Sequence, residues 1–259
     1  MCFNCGNTIE EGNIICEKCG KIVAEADEFS QQPARNSITH NRQSSDTNAT
    51  SGYMPAMASQ RRMLLILLLD ASAHAAPYFN QLLIDLSHFI IDANSDDITQ
   101  NALDFAVISF SDNFSILEGL PDENDAELSR SLACGKSCYS NPVREALQMA
   151  EVYNRNHAQA YKPWVILIAS GEPSDDIASV AVEVQNMQSD DKLRFMALGI
   201  LNYDSAALKK LTDVVFRQKG TDFTSFFEWV RKSIGVIVRT IPGEKPLLPA
   251  LEGNVYRDR

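Results

Sequence analysis

Two groups of residues in this chain could do chemistry. The first is Cys2-x-x-Cys5 and Cys16-x-x-Cys19, two pairs separated by ten residues. Four thiolates so arranged close a tetrahedral site around Zn²⁺. Gly6 and Gly20 follow the second cysteine of each pair. A Cys-x-x-Cys knuckle turns its amides towards sulfur, and glycine tolerates the positive φ that such a turn can need. Glu11-Gly12 offers a turn between short strands at Thr8-Ile9 and Ile14-Ile15. A segment this short cannot bury an adequate core, so the metal supplies its folding energy. The expectation is a structural zinc ribbon over residues 1–24, set against a redox dithiol pair or cysteines without a role. Its four thiolates exceed the zinc charge by two, and Glu10, Glu11 and Glu17 outnumber Lys18 and Lys21. Protein contact is therefore expected of it rather than contact with phosphates.

The second group follows "LLILLLD". A run of aliphatics ends on Asp70, and Ser72 comes two residues later. A buried strand delivers a metal-binding loop to the edge of a sheet in this manner. The next position in the rhythm holds His74, where a second hydroxyl would be wanted.

Other candidates carry less. Cys134 and Cys138 lie in "ACGKSCYS" and are read as unpaired thiols, since two thiolates alone make no zinc site. Cys134-Gly135-Lys136-Ser137 has the end of a phosphate-binding loop, but Arg130 stands where the motif needs glycine and no buried strand precedes it. No cysteine or serine near His88 or His157 suggests a nucleophile–base pair, so both are read as surface residues, and His40 as solvated. Asp175 and Asp176 are expected to open a helix, where negative charge meets the positive end of the dipole. The acid run at 121–127 is read as a solvated loop.

The chain's 259 residues are 45% hydrophobic and carry a net charge of −11. That is enough apolar material for one sizeable core, and the charge disfavours docking on nucleic acid or anionic lipid. No stretch reaches the roughly 18 apolar residues of a membrane span. The start, "MCFNCGNTIEEG", lacks the basic region and apolar core of a signal peptide, so a cytoplasmic location with reduced thiols is expected. On that basis the sequon Asn48-Ala49-Thr50 is a chance match.

These groups need elements to position them. Residues 25–60 are rich in Ser, Asn, Gln, Thr and Ala without period, and read as a flexible linker. From residue 61 the pattern becomes regular. Strands are expected at 63–69, 103–110, 164–169, 193–200 and 214–216, with an antiparallel edge strand at 114–117 after the turn at 111–113. Helices are expected at 77–91, 142–153, 176–187, 205–211 and 223–238, the fourth capped by Asp204 or Ser205. Strands alternating with helices make an α/β fold: a doubly wound, mostly parallel sheet with helices on both faces and one antiparallel edge. The tail at 241–259 reads as irregular. In such sheets ligands gather at the carboxyl edge, where "DASAH", "CGKSCYSN" and "SGEPSDD" should meet.

The stretches "LLLDAS", "DFAVISFSDNFSILEGL" and "YKPWVILIASGEPSDD" resemble the von Willebrand factor type A (vWA) family. The last of them and "FTSFFEWVRKSI" resemble its bacterial tellurium-resistance Y-type branch, over about residues 61–240. Residues 1–23 are similar to the short zinc ribbons that begin many bacterial proteins. The family's metal-ion-dependent adhesion site uses Asp-x-Ser-x-Ser, a Thr on the second loop and an Asp on the third, with a partner's carboxylate often completing the Mg²⁺ shell. Carried over, Asp70 and Ser72 match, His74 replaces the last serine, Ser137 the threonine and Ser170 the aspartate. One carboxylate has gone, and the imidazole suits zinc or copper better than magnesium. The resemblance therefore implies a degenerate site that does not hold magnesium. It further implies a scaffold in stress or resistance systems, where Y-type relatives accompany phosphatase and kinase partners.

The leading expectation is a non-catalytic interaction protein with the zinc ribbon as a second, tethered contact. It binds protein, not nucleic acid or membrane. The rival is a magnesium- or zinc-dependent binding module or hydrolase using Asp70, Ser72 and His74, which would need an open metal position or a nucleophile–base pair.

Overall fold

The structure is a computed structural model that describes residues 61–117, 133–240 and 244–258. The ribbon cysteines and the linker lie outside the described residues. The chain divides into two units, Met1–Met54 and Pro55–Arg259, and every element below belongs to the second.

Seven strands form one sheet in the order β3-β2-β1-β4-β5-β6-β7. They are β1 (Met63–Asp70), β2 (Leu103–Phe110), β3 (Phe114–Ile116), β4 (Trp164–Ser170), β5 (Arg194–Ile200), β6 (Val215–Gln218) and β7 (Val255–Arg257). β1, β2, β4, β5 and β6 are mutually parallel; β3 and β7 close the two edges antiparallel. The helices are α1 (Phe79–Ser95), α2 (Asp97–Ala102), α3 (Ser140–Asn156), α4 (Ala178–Ser189), α5 (Ser205–Leu211) and α6 (Thr224–Arg239).

β1 shows why the sheet is doubly covered. All eight of its residues are buried. Because successive side chains point to opposite faces, Leu65, Leu67 and Leu69 join the core beneath α1 and α6. Leu64, Ile66 and Leu68 join the one beneath α3, α4 and α5. Each such aliphatic contributes roughly 2 kcal/mol of burial, and the continuous apolar run is the sequence mark of a strand with no wet face.

The structure corrects several boundaries. α1 begins at Phe79, two residues after the expected start, behind a turn in which the Tyr78 and Phe79 amides both reach the Ala75 carbonyl. α3 begins at Ser140, so Pro142 is its third residue rather than its first. α4 begins at Ala178, with Asp176 accepting from the Ala178 amide just ahead of it. α2 was not expected from the polar stretch at 97–102; Thr99, nearly fully buried, secures it by donating to the Ala93 carbonyl at 2.8 Å.

The tail read as irregular also carries structure. β7 pairs with β6, so β6 is not the last strand and the sheet has two antiparallel edges rather than one. Val255 is buried in the α6-side core, and Trp229 Nε1 donates to the Pro249 carbonyl at 3.0 Å. A three-residue strand shows too little alternation to be read from sequence; its partner edge decides it.

Candidate functional site

Parallel neighbours β1 and β4 end side by side, which brings Asp70 and Ser170 together at the carboxyl edge. The loop ahead of α3 is drawn in by backbone bonds. The Cys134 amide donates to the Ala71 carbonyl, the Ala73 amide to Gly135 and the Ser174 amide to Ser137. The three loops expected to meet do meet.

Asp70 lies at their centre and is 0% exposed. Its Oδ1 accepts from the Ser72 amide at 2.9 Å, a local turn in which an aspartate holds the backbone two residues on. Its Oδ2 accepts from Ser137 Oγ at 2.8 Å, the Ser170 amide at 3.0 Å and Ser170 Oγ at 3.2 Å. A carboxylate offers about four lone-pair sites, two on each oxygen; three of the four protein donors share Oδ2, and one reaches Oδ1. Of the five residues assigned from sequence, four converge: Asp70, Ser72, Ser137 and Ser170.

His74 does not join them. It sits exposed on the rim, where its ring packs against Gly171. A Cβ on Gly171 would fall 3.1 Å from His74 Cγ, and the residue's φ of +65° is itself a conformation that favours glycine.

Residues that spacing did not suggest complete the setting. Tyr78 and Tyr139 are 1% exposed. Burial, reinforced by the Asp70 charge, raises the pKa of both phenols far above the ordinary range, so they stay protonated. The Tyr139 hydroxyl lies beside Ser137. The Tyr78 hydroxyl lies beside Ser170, short of hydrogen-bond geometry, and like Ser72 Oγ it is buried with no hydrogen-bond partner. The sequence signal for either tyrosine is absent, since only the path of the loops brings them near Asp70.

Asp175 has a different task from the one expected. It accepts from the Tyr139 and Ser140 amides, each at 2.8 Å, and so caps α3 from the third loop instead of opening its own helix. Asp204 caps α5 through the Ala207 amide at 3.0 Å, as the sequence suggested. Asp112 accepts from the Lys136 amide at 3.2 Å, bracing the second loop.

Cys134 is exposed, Cys138 is half-buried, and both are free thiols. Burial, with the charges of Asp175 and Asp112, raises the Cys138 pKa and suppresses its thiolate. His88 and His157 are exposed on α1 and just past α3, and His157 stacks on Tyr153 with centroids 4.3 Å apart. Among the described residues, no group of three or more His, Cys, Asp or Glu side chains is placed to hold a metal ion.

No protein-family model and no curated protein matches the chain. Among solved structures it is similar to proximal thread matrix protein 1 from the mussel byssus. One structure of that protein has a zinc-occupied MIDAS motif (17% identity, TM-score 0.48, covering 68% of this chain and 46% of that one). Another covers 77% of this chain and 49% of that one at 15% identity and a TM-score of 0.46. The chain spans about half the length of that matrix protein. The doubly wound α/β fold itself is established by this chain's own strand order and register.

Proposed function

We propose that residues 61–258 form a vWA-like module that docks another protein through its carboxyl-edge loops, without an intervening metal ion and without catalysing a reaction. The observation that carries this is Asp70: its carboxylate is wholly buried and already accepts from Ser72, Ser137 and Ser170. An ion entering there would have to displace those donors and strip its own hydration against a single carboxylate, which small hard cations resist. The residue types support the same reading, since Ser170 stands where the resemblance implies a second acid.

The module belongs in this proposal to a Y-type stress or resistance scaffold, with a phosphatase or kinase among its partners. Its first 24 residues hold a structural zinc through Cys2, Cys5, Cys16 and Cys19. A cytoplasmic site of action fits the unpaired thiols. No helix among the described residues is long and apolar enough to cross a membrane.

The test is calorimetric titration of the full chain with magnesium. No saturable binding is expected at millimolar concentration. An isotherm that saturates and is abolished by Asp70→Ala would overturn the metal-independent reading.

A further inference from the structure

Beside the Asp70 cluster lies an open cavity of about 520 Å³, walled by His74, Ser170, Glu172, Pro173, Leu201 and Asn202 among others. Resting on the function proposed above, we infer that this cavity receives a partner segment that presents a lysine or arginine next to an apolar side chain. Its polarity is thus the reverse of a partner that offers a carboxylate to a metal.

The charge distribution is the first ground. The loops around the site are residues 71–78, 111–113, 133–139, 171–177 and 201–204. Among the described residues, these loops carry Asp112, Glu172 and Asp176 exposed and Asp175 and Asp204 half-buried, against Lys136 as the one Lys or Arg within them. Asp175, Asp204 and Asp112 are held by backbone amides. Glu172 is exposed and lines the cavity. Asp70 is buried directly behind Ser170, bonded to it, and adds its own field from below. A carboxylate approaching this rim meets repulsion with no cation to bridge it, whereas an ammonium or guanidinium is drawn in.

The second ground is the backbone at the cavity's far wall. Leu201 has a φ of +53°, a left-handed conformation that a bulky side chain rarely adopts. Its neighbour loop is pinned: the Asp204 amide donates to the Gly171 carbonyl, and Tyr203 packs so tightly on Gly199 that a Cβ there would come within 2.3 Å of the ring. The outcome is a leucine held 48% exposed at the rim instead of turned inward. Strain that presents an apolar side chain to solvent makes sense where a partner covers it. Leu201 and Pro173 thus supply an apolar lip, and Glu172 the charge beside it.

Nuclear magnetic resonance titration of the full chain with two matched peptides tests this. One peptide alternates lysine with leucine, the other glutamate with leucine. The lysine peptide is expected to saturate, with shifts gathered on Glu172, Ser174, Leu201 and Asn202 and affinity falling as salt rises. Glu172→Lys should weaken it about tenfold, as expected when a rim charge is reversed. Leu201→Gly keeps the backbone conformation and should weaken it several-fold. Glu151→Lys, an exposed charge change far down α3, should leave the pattern of shifts in place. The inference falls if the glutamate peptide binds the same residues as well or better. It also falls if neither peptide binds at millimolar concentration, or if Glu151→Lys weakens binding as much as Glu172→Lys. Repeating the titration with magnesium reads the underlying proposal separately: docking that requires magnesium and is lost in Asp70→Ala defeats metal independence whichever peptide is bound.

Discussion

His74 and Gly171, almost a hundred positions apart, pack ring against backbone so closely that a single methyl group on Gly171 would come within 3.2 Å of the imidazole Nδ1. This contact sets the histidine on the rim and keeps the third loop close under it. Gly171→Ala should therefore destabilise the protein by about 1–2 kcal/mol from the left-handed backbone alone, with a further loss from the displaced ring. Urea unfolding measures the total. Adding His74→Ala should recover the steric part and leave the backbone part, so the double variant falls between Gly171→Ala and wild type.

Asp70→Ala should cost on the order of 3 kcal/mol, because the Ser72 and Ser170 amides and two serine hydroxyls would be left buried without their acceptor. The loss is structural, so it should be the same in magnesium-free and magnesium-containing buffer. A melting temperature of the wild type that climbs with added magnesium, and does so through Asp70, would instead place an ion in the cluster.

The amino-terminal edge of the sheet holds a second carboxylate whose behaviour depends on pH. Asp104 pairs with the Arg62 guanidinium and accepts from Tyr153 Oη at 2.8 Å. The Arg62 hydrogen bond, ahead of that from Tyr153, lowers the Asp104 pKa below its ordinary value. A depressed carboxylate contributes stability that is complete above the unfolded pKa, about 4, and disappears as pH falls through the folded value. Chemical unfolding below about pH 4 should show a steeper loss for the wild type than for Asp104→Asn, while near neutral pH the variant should be the less stable of the two.

The ribbon cysteines give a prediction with its own readout. Full-length protein should carry about one zinc per chain, released by a thiol-modifying reagent. Cys2→Ser or Cys16→Ser should lose the metal without moving the unfolding transition of residues 61–258. Metal analysis showing zinc retained in those variants would remove the ribbon from the account.

Much of this protein is written in its chain order. The apolar runs at 63–69 and 164–169 read as strands covered on both faces, because a strand with one wet face would alternate, and every residue of β1 and β4 is buried. The spacing of Phe79, Leu82, Leu83, Leu86 and Phe89 likewise marked the buried face of α1. From these alone the carboxyl edge could be placed, with Asp70 and Ser72 on it and the loops at 70–74, 134–141 and 170–176 expected to meet there. Ser137 and Ser170 were singled out only by the resemblance to the vWA family. Tertiary structure decided the rest. Which donors reach Asp70 is set by the fold, since three of the four come from positions 67 and 100 residues away. Local sequence favoured Asp175 at the start of its own helix, yet the meeting of two loops gave it to α3. The tail gained β7 because the open edge of β6 offered unpaired backbone groups, and no pattern in three residues could announce that. Periodicity reports which faces a segment must bury; only the assembled chain settles which polar atoms meet, since hydrogen bonds are directional and their partners lie far apart along the sequence.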